Sequence, residues 1–405
     1  MLIINLSDSN ATYGQGDVIT GQVIYQPGHI YPLATQPVRV LIEVTGRTKT
    51  KISDSTNRYG RADLFWIRVA ELYGSQTVWP FTFPFPARAS PVDPSVVDLR
   101  SWTEQVTTVR SDHVLPPTFT DHQTSHFVAA VEYRVKASVW SQSQFGPAQI
   151  LCEQSIPIIF RPRDDPQHRF PTKGEAVKLR AHQMVQTDLL LSETKNRDLT
   201  LREKTRSFLR RSQVPYFRFQ VQLTVPLKVH LGAEIPCILS VTPTVESLES
   251  STVTKIPPFK LTGFSIRVKG KTKAWATTGF NTDLTKSYSD IVLDKSNKEL
   301  NVVLSPASDS SKVILSPAIR ETVPTFVTYN IARTYVLRLQ VDILCANMVS
   351  TVSEDVDLVV LPGIGDYPSS LSRRGAVDVL DVDDLPAYTE AVSDFVGTVL
   401  DVMMS

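Results

Sequence analysis

Strict alternation of apolar and polar residues is the feature that most narrowly limits how this chain can fold. The odd positions of Val131–Val139 are apolar and the even ones are polar, and Phe217–Val225 alternates in the same way. Since successive side chains of a strand point to opposite faces of a sheet, each segment predicts a strand with one buried and one wet face. Half-wet strands are typical of antiparallel sheets, because parallel sheets are covered on both faces.

Strand-like segments recur in both halves of the chain. They are rich in β-branched and aromatic residues and are bounded by turn residues. No amphipathic helix of the length that parallel crossovers require lies between them. The sequence therefore predicts an all-β fold, and its 405 residues fit two antiparallel β-sandwiches in tandem better than one. The predicted strands are Asp17–Tyr25, Val38–Thr45, Trp79–Phe85, Phe127–Val139, Ser155–Phe160, Tyr216–Thr224, Glu234–Val241, Leu261–Lys269, Lys312–Leu315, Thr334–Ile343 and Val356–Leu361.

Composition and charge divide the chain into four parts. We predict a first β-sandwich in residues 1–163, a charged hinge or linker in 164–213, a second β-sandwich in 214–363 and an acidic tail in 364–405. Inside the linker, Leu199–Arg211 fits either a short amphipathic helix or an irregular lead-in strand.

The tail differs in kind from the rest of the chain. Its only basic residues are Arg373 and Arg374, so we expect this acidic segment to be flexible or loosely docked. Its acidic residues are Asp366, Asp378, Asp381, Asp383, Asp384, Glu390, Asp394 and Asp401.

Composition also bears on compartment and partners. The formal net charge of +1 gives no global attraction to nucleic acid or to an anionic membrane. No run approaches the ~18 apolar residues of a membrane span, and the first residues lack the basic start of a secretory signal. The spacing of Cys152, Cys237 and Cys345 suits neither a disulfide framework nor a metal site. We therefore expect a soluble cytoplasmic protein with reduced core cysteines.

Two short motifs predict local geometry. Gly14 and Gly16 can take the positive φ of a tight turn, which the side chain of Asp17 can close. The prolines of Trp79–Pro86 lack a backbone donor, which restricts that segment to an edge or bulged position in a sheet.

Several further blocks recur in a characteristic order and spacing between Leu2 and Pro362. They are Tyr13–Val23, Val38–Val44, Trp79–Pro86, Leu115–Phe119, Val131–Ala137, Val214–Tyr216, Gly232–Pro236 and Tyr329–Leu337. Through these blocks the chain resembles the arrestin family, in particular its α-arrestin-like branch of fungal arrestin-domain proteins. The resemblance implies two tandem immunoglobulin-like arrestin domains with a tail.

A four-residue motif in the tail, Leu385-Pro386-Ala387-Tyr388, is similar to the Leu-Pro-x-Tyr variant of the Pro-Pro-x-Tyr motif. In α-arrestins this motif recruits WW domains of HECT-type ubiquitin ligases. Pro386 favours the extended polyproline conformation, and Tyr388 supplies a second anchor. Because Leu385 replaces the first proline, we expect modest affinity. The alternative is a helix start that is capped by Asp384.

Two basic groups are candidate sites for phosphorylated cargo tails or anionic membrane lipids. For each group the alternative is an ordinary solvated surface. The first group is Arg202, Lys204, Arg206, Arg210 and Arg211, and the second is Lys269, Lys271 and Lys273.

Nothing in the sequence points to an enzyme. It contains no nucleophile elbow, Walker loop or dinucleotide fingerprint. The single histidine-rich window has His113, His122 and His126 with Asp112 and Asp121, but it lies in a segment rich in proline and threonine. We expect neither a metal site nor a cofactor there.

The resemblance implies a cytoplasmic trafficking adaptor that is recruited to the plasma membrane and endosomes. It would bind cytosolic regions of membrane transporters or receptors, bring in the ligase and promote ubiquitin-dependent endocytosis. One alternative is a structural coat or sorting subunit resembling the arrestin-like component of retromer, which would bind its partners stably and without the tail motif. A third class, a β-sandwich hydrolase, would need convergent polar residues in a pocket.

Overall fold

The computed structural model describes most of the chain outside the tail. Within the described ranges the ordered elements are almost all β-strands, and the all-β prediction is confirmed. The ranges are residues 1–8, 11–26, 38–53, 57–74, 76–90, 113–124, 126–141, 149–163, 176–190, 200–202, 205, 215–244, 256–276, 284–304, 313–315, 317–320 and 322–363.

The first half of the chain supplies strands β1 to β9 in two sheets. One sheet has the order β1-β3-β6, and the other β2-β9-β8-β4-β5 with β7 also paired to β8. The strands are β1 Leu2–Leu6, β2 Thr12–Tyr13, β3 Val18–Tyr25, β4 Val38–Ser53, β5 Asn57–Gly74, β6 Val78–Pro84, β7 Phe119–Thr124, β8 Phe127–Ser141 and β9 Ile150–Phe160.

The second half supplies β10 to β20, again in two sheets. One has the order β10-β11-β13-β17, and the other β12-β20-β19-β14-β15 with β16 on β14 and β18 on β19. The strands are β10 Ala176–Gln186, β11 Tyr216–Pro226, β12 Lys228–His230, β13 Cys237–Pro243, β14 Phe259–Ala276, β15 Leu284–Asn297, β16 Val302–Leu304, β17 Val313–Leu315, β18 Phe326–Val327, β19 Ile331–Cys345 and β20 Met348–Leu361.

In each half, two sheets share one apolar core, which is the arrangement of a β-sandwich. Trp79 of β6 and Tyr133 of β8 belong to one cluster although their strands lie in different sheets. Leu223 of β11 and Leu337 of β19 belong in the same way to a second cluster. The alternation is confirmed, because the apolar positions of 131–139 and 217–225 are buried and most of the intervening side chains reach solvent.

The range predicted as a charged linker, 164–213, contains a strand that the sequence did not predict. Residues 176–186 form β10, which pairs with β11 along its whole length. An edge strand needs apolar residues on one face only, so the polar residues of β10 gave the segment the composition of a linker. Two further edge strands, β5 and β15, also escaped prediction, and most of their residues are only half-buried.

The predicted turn and edge are both present. Gly16 has φ of 76°, and the backbone N–H of Gly14 donates to Asp17 Oδ2 at 2.8 Å. Gly14 itself does not need positive φ and lies under the side chain of Arg163. Among the described strands, the proline-containing β6 pairs with β3 alone and is an edge strand, as the prolines predicted.

Candidate functional site

A largely buried group of polar side chains lies where the first half of the chain meets the second, and only Asp290 among them is substantially exposed. We call Asp121, Thr272, Asp290, Arg333 and Tyr335 the interface cluster. Asp121 comes from β7 of the first half, whereas the other four come from β14, β15 and β19 of the second. Thr272 and Arg333 are direct partners in the β14–β19 ladder, so their side chains share a face.

Arg333 is the centre of the interface cluster and is only 3% exposed. Its Nη1 lies 2.7 Å from Asp290 Oδ1, and its Nη2 donates to Asp290 Oδ2 at 2.9 Å. Nη1 also donates to Thr272 Oγ1 at 2.9 Å, and that hydroxyl donates to Asp121 Oδ2 at 2.5 Å. Asp121 Oδ2 is 3.8 Å from Nη1, so one guanidinium is held between carboxylates from both halves.

Gly270 makes the space that the guanidinium occupies. It is the direct partner of Asp290 on β15, and a Cβ on it would lie 2.1 Å from Arg333 Nη2. The guanidinium is also stacked near aromatic rings, with Arg333 Cζ 5.1 Å from the Tyr335 ring centroid and 5.9 Å from that of Phe119. Such stacking over a ring face is attractive for a cation.

The electrostatics of the interface cluster keep Arg333 charged. Burial alone would lower the pKa of this side chain, but the hydrogen bonds and charge of Asp290 and the contact with Tyr335 raise its pKa above the ordinary value. Burial raises the pKa of Tyr335, whose hydroxyl donates to the carbonyl of Val323. Arg333 therefore keeps its positive charge, and its contacts with carboxylates from both halves suit it to holding the two halves together.

Apolar and neutral contacts surround the interface cluster. Phe119 packs edge-on against Phe326 with centroids 5.3 Å apart, and Phe127 lies 4.5 Å from Tyr288. Thr50 Oγ1 donates to the carbonyl of Trp275. Five residues of the second half also belong to the core of the first, so the contact between halves is packed like a domain interior. They are Ala274, Ala276, Phe326, Tyr329 and Ile331.

The histidine-rich window contributes to this interface. The Nε2 of His113 lies 3.1 Å from Thr328 Oγ1, and its ring packs edge-on against Tyr329. Asp121, from the same window, is one of the two carboxylates of the interface cluster, whereas Asp112 lies outside the described residues. Among the residues that are described, no group of three or more His, Cys, Asp or Glu side chains could hold a metal ion.

Arg333 was not among the predicted site residues, although the sequence carries a signal for it. Ile331, Tyr335 and Leu337 are buried, and Arg333 stands in the same inward phase of β19. A charged residue in the apolar phase of a strand must find a buried partner, because burying an unpaired charge is costly. Its partner Asp121 is far away in sequence, so the pattern alone could not identify it.

The structure places Lys269, Lys271 and Lys273 at alternate positions of β14, on one outward face that we call the lysine face. Their direct partners on β15 and β19 include the hydroxyl residues Ser287, Ser289 and Thr334. Lys271 is exposed, and Lys273 Nζ lies 4.6 Å from the Trp275 ring centroid. Cationic and hydroxyl side chains on one flat surface are groups that can bind phosphate oxygens.

The other predicted site residues lie mostly outside the described ranges. Of the first basic group only Arg202 is described, and it is helical together with Leu201. The hydroxyl of Thr205 donates to the Leu201 carbonyl at 2.8 Å, which favours the helical alternative for this segment. The residues outside the described ranges are Lys204, Arg206, Arg210, Arg211, Leu385, Pro386 and Tyr388.

The three cysteines are free thiols. Burial raises the pKa of Cys237 and of Cys345 to about 12 each, and Cys152 is half-buried. The prediction of core cysteines is therefore confirmed for Cys237 and Cys345, which are inert toward ordinary thiol chemistry.

No protein-family model matches this chain, and no curated protein sequence matches it significantly. Within the described ranges, helical residues form no segment with the length and apolar character that crossing a bilayer requires.

Proposed function

We propose that this protein is an arrestin-like trafficking adaptor, built from two tandem immunoglobulin-like arrestin domains. In this proposal its folded part binds cytosolic regions of membrane transporters or receptors. Its tail recruits a WW-domain HECT-type ubiquitin ligase through Leu385, Pro386 and Tyr388. Ubiquitylation of the bound membrane protein then promotes its endocytosis.

The observation that carries the proposal is the pairing of a rigid two-sandwich body with a tail motif. The interface cluster ties the two halves together through Arg333, Asp121 and Asp290, so both halves present a fixed surface to a partner. The acidic tail follows directly after β20 and contains the Leu-Pro-x-Tyr sequence. A rigid body that binds one partner and a motif that binds another are the two parts an adaptor needs.

The lysine face supports binding of an anionic group on the cargo side. A phosphorylated cargo tail and an inositol lipid headgroup share the same chemistry, which is phosphate oxygens that accept hydrogen bonds from ammonium and hydroxyl donors. The exposed position of Lys271 and its neighbouring hydroxyls fit such a group.

The motif is tested by substituting its aromatic anchor in the full chain. Tyr388→Ala should reduce WW-domain binding at least about tenfold, because an aromatic anchor in a peptide groove contributes more than ~1.4 kcal/mol. Binding is measured by titrating purified WW domains of HECT-type ligases. The matched control is Tyr367→Ala, which removes a tyrosine from the same tail but leaves the motif intact.

Equal WW affinity in the Tyr388→Ala and unsubstituted proteins would exclude this route of ligase recruitment. Purification of the protein in a stoichiometric complex that survives Tyr388→Ala would instead favour the coat or sorting subunit.

A further inference from the structure

The sheet β10-β11-β13-β17 has an unusual charge distribution. Its four strands contain four residues that are basic or can become so, and they contain no carboxylate; these residues are Lys178, Arg180, His182 and Arg218. The sheet that contains β14 and β19 instead pairs its exposed cations in register, as Arg338 does with Asp355. A carboxylate that pairs with Lys178 or Arg180 would therefore come from outside the strands of this sheet.

β10 lies at the edge of this sheet, and within the described residues no strand pairs with its outer side. Its eleven residues pair with β11 without a bulge and include no proline. By contrast, the edge strand β6 contains Pro80 and Pro84, and the ladders of edge strands β5 and β15 are interrupted by register shifts. A long regular edge presents unpaired backbone donors and acceptors to an added strand.

The two faces of β10 define what such a strand must carry. Lys178 and Arg180 are exposed on the outer face, two residues apart. On the inner face Val177, Leu179 and Ala181 pack against the second core but are only partly buried. An added strand would therefore need carboxylates at alternate positions and aliphatic residues between them.

A second copy of β10 does not meet this requirement. Antiparallel pairing of two β10 strands about Ala181 would set Arg180 opposite His182 and add cations to a face that already lacks carboxylates. Like charges directly opposite each other destabilise a ladder.

The tail contains a segment with the required pattern in Val379-Leu380-Asp381-Val382-Asp383. Asp381 and Asp383 alternate with Leu380 and Val382, so one face of an extended strand would be acidic and the other aliphatic. The carboxylates match the basic outer face of β10, and the aliphatic residues match its apolar inner face. A cluster of acidic residues alone would match only the outer face.

The chain also leaves the folded body close to β10. The Val359 N–H near the end of β20 donates to the carbonyl of Leu227, which follows Pro226, the partner of Ala176 at the start of β10. The residues between Gly363 and Val379 can extend about 50 Å, at ~3.3 Å per residue, whereas β10 is about 36 Å long. The segment can therefore reach any position along the edge.

We infer that residues 379–383 of the tail add as a strand to the free edge of β10. Asp381 and Asp383 then lie beside Lys178 and Arg180, and Leu380 and Val382 complete the cover of the second core. This docking is independent of the proposed ligase binding, since it uses none of the motif residues.

The test is hydrogen exchange of the β10 amides, followed by mass spectrometry of the peptide that contains residues 176–186 of the full chain. In the Asp381→Lys/Asp383→Lys double variant, the outward amides of β10 should exchange about tenfold faster, because two attractive cross-strand pairs become repulsive. The matched control is Asp394→Lys/Asp401→Lys, which makes the same change in net charge farther along the tail and should leave the exchange unchanged.

A charge swap separates docking from general effects of the substitutions. Adding Lys178→Asp and Arg180→Asp to the Asp381→Lys/Asp383→Lys chain should restore the slow exchange. Exchange that is equal in all variants would overturn the inference. Protection that increases with protein concentration would overturn it as well, because the added strand would then come from another molecule.

Discussion

Two arginines of β19 each pair with an aspartate of a neighbouring strand, one at the surface and the other in the interior. Arg338 binds Asp355 with two hydrogen bonds of 2.6 Å each, and both side chains are nearly half exposed. Arg333 and Asp290 have a longer and less regular contact, but the arginine is buried and shares a second carboxylate. Water screens the first pair and competes for its hydrogen bonds, whereas it cannot replace a lost partner in the second. Burial, rather than bond length, therefore decides which pair the fold depends on.

Removing the buried charge should give the largest effect. Arg333→Met keeps the aliphatic stem but leaves Asp121 buried without its cation, and we expect a loss of about 3–5 kcal/mol in the free energy of unfolding. The measurement is urea denaturation followed by tryptophan fluorescence. Adding Asp121→Leu to the same chain should recover part of the loss, because the carboxylate that still lacks its cation, Asp290, is partly exposed and can be hydrated. If Arg333→Met alone were neutral, the interface cluster would not hold the halves together.

Filling the space beside the guanidinium should have the next largest effect. A Cβ in Gly270→Ala meets Arg333 Nη2 and Asp290 Oδ1, so the buried pair must shift, at an expected cost of about 1–3 kcal/mol. Gly74→Ala is the control, since a Cβ there finds its nearest atom at 3.9 Å and should change stability by less than about 0.5 kcal/mol. Both are measured by the same denaturation. Similar values for the two variants would show that Arg333 can move without cost.

Weakening the exposed pair should have the smallest effect, and one that depends on pH and salt. The hydrogen bond from Arg338 lowers the pKa of Asp355 below its ordinary value of 3.8, despite partial desolvation, and the charge of Lys269 adds to this. A depressed carboxyl pKa stabilises the fold above the unfolded-state pKa, and this stability is lost as the pH falls through the folded-state pKa. Asp355→Asn should therefore lower the melting temperature slightly at pH 7 and not at all near pH 2 or in 1 M salt. A large loss that persists in 1 M salt would contradict the comparison.

The strands inside the sheets could be predicted from the sequence, because alternation is a local pattern that burial on one face imposes. Val131–Val139 in β8 and Phe217–Val225 in β11 are both of this kind. The edge strand β10 alternates as well, with Val177, Leu179 and Ala181 on its inner face, but the residues on either side of it are highly charged, so the whole stretch had the composition of a linker. Its strand identity depends on β11, which the sequence places about thirty residues later.

The candidate site was predicted only where it is local. The shared face of Lys269, Lys271 and Lys273 could be predicted, because alternate residues of a single strand lie on the same face of a sheet. The interface cluster could not be predicted in this way, because Asp121 and Arg333 are far apart in sequence and come together only where the two halves of the chain meet. Long-range pairing of this sort leaves one local trace, a charged residue in the inward phase of a strand.

Strands β14 and β19 couple the unfolding of the two halves of the chain. Phe259 and Leu261 near the start of β14 belong to the second core, whereas Ala274 and Ala276 near its end belong to the first. Ile331 and Leu337 divide β19 between the two cores in the same way. When one core melts, one end of β14 and one end of β19 become unfolded. The other core needs the same two strands, so it is destabilised as well. The halves should therefore lose structure in a single cooperative transition, which is rare for chains of this length. A substitution deep in one half would then shorten the lifetime of the other.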